Sequence, residues 1–192
     1  VGIGLCTICG AVISTVAVSL KDQQEQNVIF DQQSKIIDAA RLLEFYPSSI
    51  EALESIKEVI VDLNDGQPSD YPSDQYDLDT ILRDSSQHKV LNGADDIAMI
   101  SVRENISKVF IEYRNNEFKT LILPVRGYGL WGTLYGYLAL DSDLNTIVGL
   151  EFYKHKETPG LGAEVDNPNW KKLWNGKKVY DVNLIDLPED NK

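Results

Sequence analysis

Apolar and polar positions divide this chain into a start without charge and a long, strongly patterned remainder. Val1 to Leu20 carries no charged residue and is rich in Val, Ile, Leu and Ala, with Thr7, Ser14, Thr15 and Ser19 as its polar side chains. Twenty helical residues span about 30 Å, the hydrocarbon thickness of a bilayer, so the run predicts a retained transmembrane helix over residues 1–20. A cleaved signal peptide is the alternative, with Ala17-Val18-Ser19 as the small-residue cleavage spelling. From Lys21 to Phe45 the helical period continues through Val28, Ile29, Ile36, Ala40 and Leu43 without Gly or Pro, and Pro47 ends it. Residues 21–47 therefore read as a connecting helix. Ser48-Ser49-Ile50-Glu51 spells a capping box, and Ile50, Leu53, Ile56 and Ile60 predict a short second helix.

Between Asn64 and His88 the chain is acidic and turn-rich, broken by Pro68 and Pro72, with one helical turn expected around Leu78 to Leu82. Strands follow. Val109 to Tyr113 and Lys119 to Val125 flank Asn115-Asn116, a hairpin signal. Thr133 to Leu140 and Thr146 to Tyr153 flank Ser142-Asp143-Leu144-Asn145, a second hairpin. A helix from Glu164 and Asp166 to Trp174 comes next, then a last strand over Lys178 to Val182. Strands, a helix and further strand make residues 48–192 an α+β domain on an antiparallel sheet.

All charge lies after Leu20, and the net charge is −12. Such an acidic chain excludes nucleic acid and anionic lipid surfaces as partners. Lys21 and Lys35 are the basic residues in the first twenty past the apolar run, which suits the translocated side of a membrane. Cys6 and Cys9 fall inside that run, where they read as small packing residues. Asp141-x-Asp143-x-Asn145 opens like a calcium loop, but Thr146 and Phe152 stand where its glycine and bidentate glutamate belong, so it reads as a turn. His88 and His155 lie far apart without carboxylates at ligand spacing, and no metal site is expected. No dinucleotide fingerprint, Walker sequence or nucleophile elbow occurs, and no catalytic side chain is assigned. A redox role would require a cofactor.

The candidate chemistry sits in Glu157-Thr158-Pro159-Gly160-Leu161-Gly162. Two glycines flank one leucine, so backbone amides can approach a flat or anionic ligand closely. Pro159 fixes one torsion and biases Thr158 towards an extended conformation, which stiffens the loop. The same spelling also suits an ordinary strand-to-helix turn.

Together with Gly129-Leu130-Trp131-Gly132, Tyr135 to Asp141 and the segment Glu164 to Trp170, this loop resembles the C subunit of the sodium-translocating NADH:quinone oxidoreductase, within the wider FMN-binding-domain family. The resemblance runs from the apolar start to Asp181. It implies a member of a bacterial translocase that carries electrons through covalently bound FMN. It further implies one transmembrane helix in the inner membrane, a soluble domain on the periplasmic side, partner subunits of the reductase, and a flavin transferase. By the same resemblance Glu157 and Thr158 bond the polar edge of the flavin and Leu161 lies against its ring, with Pro159, Gly160, Gly162 and Leu130 completing the site. Trp131 is either a wall for the ring or a core residue, and Trp170 and Trp174 pack the domain. Lys154, His155 and Lys156 either offer positive charge to the flavin or form a solvated strand end. The family's Ser/Thr-Gly-Ala-Thr attachment motif is not found up to Lys192, so the attachment threonine is expected downstream and the domain is expected to be truncated. The G subunit of an RNF-type complex shares the loop, and a cofactor-free, membrane-tethered assembly module is a further alternative.

Overall fold

In a computed structural model the chain is described over residues 2–181, with the side chains at 2, 3, 5, 7, 8, 22 and 25 outside that description. It divides into two units, Val1–Ser34 and Lys35–Lys192. The first unit is helical, most of α1 (Gly2–Ala39, 38 residues). Its hydroxyls fold back onto the helix, Thr15 Oγ1 donating to the Ala11 carbonyl at 2.8 Å and Ser19 Oγ to Val16 at 2.9 Å. Val12, Ile13, Val16 and Val18 are exposed. Among the described residues no helix is long and apolar enough to cross a membrane.

In the second unit, α1 ends in a buried apolar stretch, Ile36, Ile37, Ala39 and Ala40, followed by buried Leu42 in a single 3-10 turn. Next comes α2 (Ser49–Glu54). The Ser48 hydroxyl accepts the Glu51 amide at 3.3 Å and donates to the Glu51 carboxylate at 3.1 Å, so the expected cap forms. The helix expected to continue through Ile60 does not. Instead β1 (Ile56–Asp62) begins two residues later. The β-branched run Val59-Ile60-Val61 favours a pleated surface, and pairing from Ile56↔Glu112 to Asp62↔Ile106 decides the matter. The acidic excursion holds one short helix, α3 (Leu78–Arg83), capped by Asp77. A small ladder, β2 (His88–Val90) with β3 (Val102–Glu104), leads into the main sheet.

Four strands complete that sheet: β4 (Ile106–Arg114), β5 (Glu117–Tyr128), β6 (Thr133–Asp141) and β7 (Ile147–Lys154). With β1 they form an antiparallel sheet in the order β1-β4-β5-β6-β7. Asn115 and Asn116 take φ of 54° and 62°, the paired left-handed geometry of a tight hairpin that asparagine tolerates. At the second hairpin the Asp143 carboxylate accepts the amides of Asn145 and Thr146, at 3.0 and 2.7 Å, and the Thr146 hydroxyl at 2.6 Å. These bonds hold its carboxyl well below the usual range.

One face of the sheet presents Phe110, Ile122, Tyr137 and Ala139 to Ile36, Ile37, Ala39, Leu42 and Ala52, and this is the buried core. Gly149 lies under Ala39 so closely that a Cβ would meet the Ala39 backbone. Glu112 is fully buried on the same face. It accepts bonds from Tyr46 at 2.9 Å, Thr120 at 3.2 Å and Arg114 at 3.1 Å, which satisfies a charge that would otherwise be prohibitive to bury.

The helix expected from Glu164 to Trp174 is broken into a 3-10 turn (Gly162–Asp166), α4 (Pro168–Lys171) and another 3-10 turn (Lys172–Trp174). Asn167 precedes proline, is driven to the extended region at ψ 121°, and caps α4 instead of continuing a helix. The strand expected over Lys178 to Val182 is a single bridge from Lys178 to Thr146; Val182 lies outside the described residues.

Candidate functional site at one end of the sheet

Antiparallel order places the β5–β6 turn and the exit of β7 at the same end of the sheet, because Tyr128 pairs with Thr133 and Tyr135 with Lys154. The turn closes through the Gly129 amide donating to the Gly132 carbonyl at 2.8 Å, which lifts Leu130 and Trp131 out of the sheet. The β7 exit runs through His155, Lys156 and Glu157 into the glycine loop. Leu161 and Ala163 donate to the Thr158 carbonyl, both at 3.1 Å, and Gly160 takes φ 75°, a left-handed position suited to glycine.

Glu157 joins the two loops. Its Oε1 accepts the Trp131 amide at 3.1 Å. A Cβ on Gly162 would stand 2.5 Å from its Oε2, and a Cβ on Gly129 would collide with its Oε1 and stand 2.5 Å from Leu134 Cδ1. Glycine at these two positions is thus what admits the carboxylate between the loops. Above this half-buried clamp, Leu130, Trp131 and Leu161 are 78%, 62% and 73% exposed. Three large apolar side chains are presented by stiff backbone with open space beside Gly160. Such a surface gains most from a flat apolar group laid across it.

The structure therefore brings together Leu130, Trp131, Glu157, Thr158, Pro159, Gly160, Leu161 and Gly162, all at this end. It gives Glu157 an occupation within the protein, as acceptor for Trp131, and it places Trp131 outside the core. His155 is no solvated strand end either: its ring bonds Asp166 at 2.7 Å and the Glu157 amide at 3.2 Å.

On the sheet face opposite the core lies an apolar cleft of about 560 Å³ whose lining includes Val125, Leu134, Leu138, Phe152, Trp170 and Trp174. Trp170 stands 6.5 Å from the Phe152 ring and 5.7 Å from Trp174. Gly136 faces this side, and its missing side chain leaves room for the Glu151 carbonyl first and for Phe152 beside it. Tyr128 and Leu134, at the cleft's end, directly flank the 129–132 turn. The sequence assigned Trp170 and Trp174 to packing the domain but placed no cleft here, although the alternation of Leu134, Gly136 and Leu138 against Leu150 and Phe152 marks a second apolar face. At the sheet edge Lys171 reaches both oxygens of Glu151, at 2.6 and 2.5 Å, and fixes α4 against β7.

Comparison with known proteins bears directly on this end of the sheet. An FMN-binding domain matches residues 129–187, which takes in both loops and the segment lining the cleft. The C subunit of the Na(+)-translocating NADH-quinone reductase of Pseudomonas aeruginosa is 44% identical over 187 residues, covering 95% of this chain and 72% of that protein. The chain belongs to this C-subunit family. The corresponding protein of Vibrio vulnificus is 37% identical over 94% of this chain and 71% of its own length. Among solved structures of the family, Shewanella oneidensis NqrC superposes with a TM-score of 0.70 at 31% identity, over 78% of this chain and 70% of that one. The C subunit from Parabacteroides distasonis gives 0.61 at 29% identity, over 84% and 71%.

Proposed function

We propose that this chain is the electron-carrying flavoprotein member of a bacterial sodium-translocating NADH:quinone reductase, with FMN seated on the end of the sheet built by residues 129–132 and 157–162. The observation that carries this reading is the Glu157 clamp. It locks two loops together and leaves Leu130, Trp131 and Leu161 exposed within the segment matched by the FMN-binding domain. When bound, FMN supplies one- and two-electron chemistry that no side chain here offers. The chain's own residues do the holding. Leu130, Trp131 and Leu161 would cover the ring, Thr158 and the glycine-loop backbone would bond its polar edge, and Glu157 keeps both loops in place. Covalent attachment of the FMN by a flavin transferase is part of this proposal. The quinone side, ubiquinone in this reading, and the NADH and ion sites belong to partner subunits.

Residues 1–20 form the membrane anchor in this proposal, with the domain on the periplasmic side of the inner membrane. Support comes from the absence of charge up to Leu20 and from the hydroxyls of Thr15 and Ser19, which are satisfied within the helix as a bilayer demands. The test is flavin fluorescence in a denaturing gel of the full-length chain co-expressed with its flavin transferase. A fluorescent band is expected; a colourless one overturns the flavoprotein reading.

A further inference from the structure

His155 stands outside the residues expected to touch the cofactor, yet both of its ring nitrogens are committed. Nδ1 lies 3.2 Å from the Glu157 amide, which can only donate. Nε2 lies 2.7 Å from Asp166 Oδ2, a carboxylate oxygen that accepts. One nitrogen accepts and the other donates, so the partners suit the tautomer with its proton on Nε2. A doubly protonated ring would turn an Nδ1–H towards the Glu157 N–H, donor against donor. The imidazole is 15% exposed, which shelters the bond at Nδ1, while Asp166 on its other side is 52% exposed.

The two bonds tie three parts of the chain to one ring. Asp166 ends the 3-10 turn beyond the glycine loop, His155 leaves β7, and the Glu157 amide opens the loop itself. The loop is therefore held at both ends by one ring. Glu157 then passes the constraint on, because its carboxylate accepts the Trp131 amide of the neighbouring turn. The path from Asp166 through His155 and Glu157 to Trp131 is unbroken.

We infer that His155 is a positioning residue: through the acceptor at Nδ1 it sets the Glu157 carboxylate, and through that carboxylate it sets Trp131 at the flavin platform. The inference rests on the proposed FMN site for its redox consequence, but not for the clamp itself. Lys154 lies over the Tyr135 ring at 5.1 Å, away from the clamp, whereas the Lys156 stem packs against Gly132 of the turn and offers no hydrogen bond to it.

The test uses the full-length, flavinylated chain and two substitutions that separate the ring's functions. His155→Asn places an amide oxygen near the position of Nδ1 and keeps the acceptor for Glu157. His155→Gln places its amide near Nε2 and keeps the donor to Asp166 but loses that acceptor. Amide hydrogen exchange is read at residues 131 and 157, and the flavin midpoint potential is read beside it. His155→Gln is expected to speed exchange at both amides about five- to tenfold, the scale of one lost hydrogen bond, and to shift the potential. His155→Asn is expected to resemble the parent in both readouts. Equal behaviour of the two variants, or unchanged exchange at Trp131 in His155→Gln, overturns the inference. Absence of flavin from the parent protein defeats the cofactor reading, while the exchange data still decide the clamp.

Discussion

Replacing Glu112 tests whether its buried carboxylate network joins the helical segment to the sheet. The side chain is fully buried and receives Tyr46 from the segment between α1 and α2, Thr120 from β5, and Arg114 from its own strand. Arg114 also lies over the Phe45 ring, 3.5 Å from its centroid. Glu112→Ala removes the acceptor of all three donors and leaves the Arg114 charge unpaired. Removing one partner of a buried pair costs about 3–5 kcal/mol. Arg114 is 28% exposed and can turn towards water, which places the loss near the lower end, about 3 kcal/mol. For a domain of this size that lowers Tm by about 6–12 °C. Glu112→Gln keeps the volume and one acceptor oxygen but gives up the charge, so about 1–2 kcal/mol is expected. Urea and thermal unfolding of both variants, followed by circular dichroism, make the comparison. The reasoning fails if Glu112→Ala costs under about 1 kcal/mol, or if the two substitutions cost the same.

Other consequences follow from single contacts. Gly149→Ala drives a methyl group into the Ala39 backbone, and two backbones have little freedom to part; overpacking of about 1–3 kcal/mol exceeds the gain of about 0.5–1 kcal/mol from removing a strand glycine. A thermal scan showing no loss of Tm contradicts that packing. Gly129→Ala displaces only the ends of Glu157 and Leu134, so stability should change by less than about 1 kcal/mol while exchange of the Trp131 amide accelerates. Unchanged exchange there means that Glu157 does not depend on the bare glycine. Asp143 has a folded carboxyl value below its ordinary 3.8 because it bonds Thr146 by side chain and backbone, so it stabilises the fold fully above 3.8 and loses that contribution as pH falls from there through the folded value. The stability difference between the parent and Asp143→Asn should therefore shrink on acidification below pH 3.8; a difference that grows there rules out the turn assignment.

Local signals carried the hairpins and the capping box into the sequence reading, because Asn115-Asn116, Ser142 to Asn145 and Ser48 with Glu51 act within a few residues. The break at Asn167-Pro168 was equally local, yet the charged opening at Glu164 and Asp166 masked it. Ile50, Leu53, Ile56 and Ile60 fit a helical period equally well; what makes β1 a strand is its pairing with β4, far along the chain. The loop residues of the site were legible as a spelling shared with a family. Their arrangement was not. Glu157 meets Trp131 through the register of β6 and β7, and His155 meets Asp166 through the path of the glycine loop between them; neither geometry is written in residue types. The cleft was hidden because Trp170 finds Phe152, with Trp174 beside it, only after the chain has turned around the edge of β7.

Flavin fluorescence of the intact, flavinylated chain, compared between the parent and Trp131→Phe, measures the placement of the cofactor most directly. Indole in contact with the ring quenches its emission, so the account predicts a dim parent and a markedly brighter variant with the same flavin content. Equal brightness would put the flavin away from Trp131 and contradict the platform at this end of the sheet.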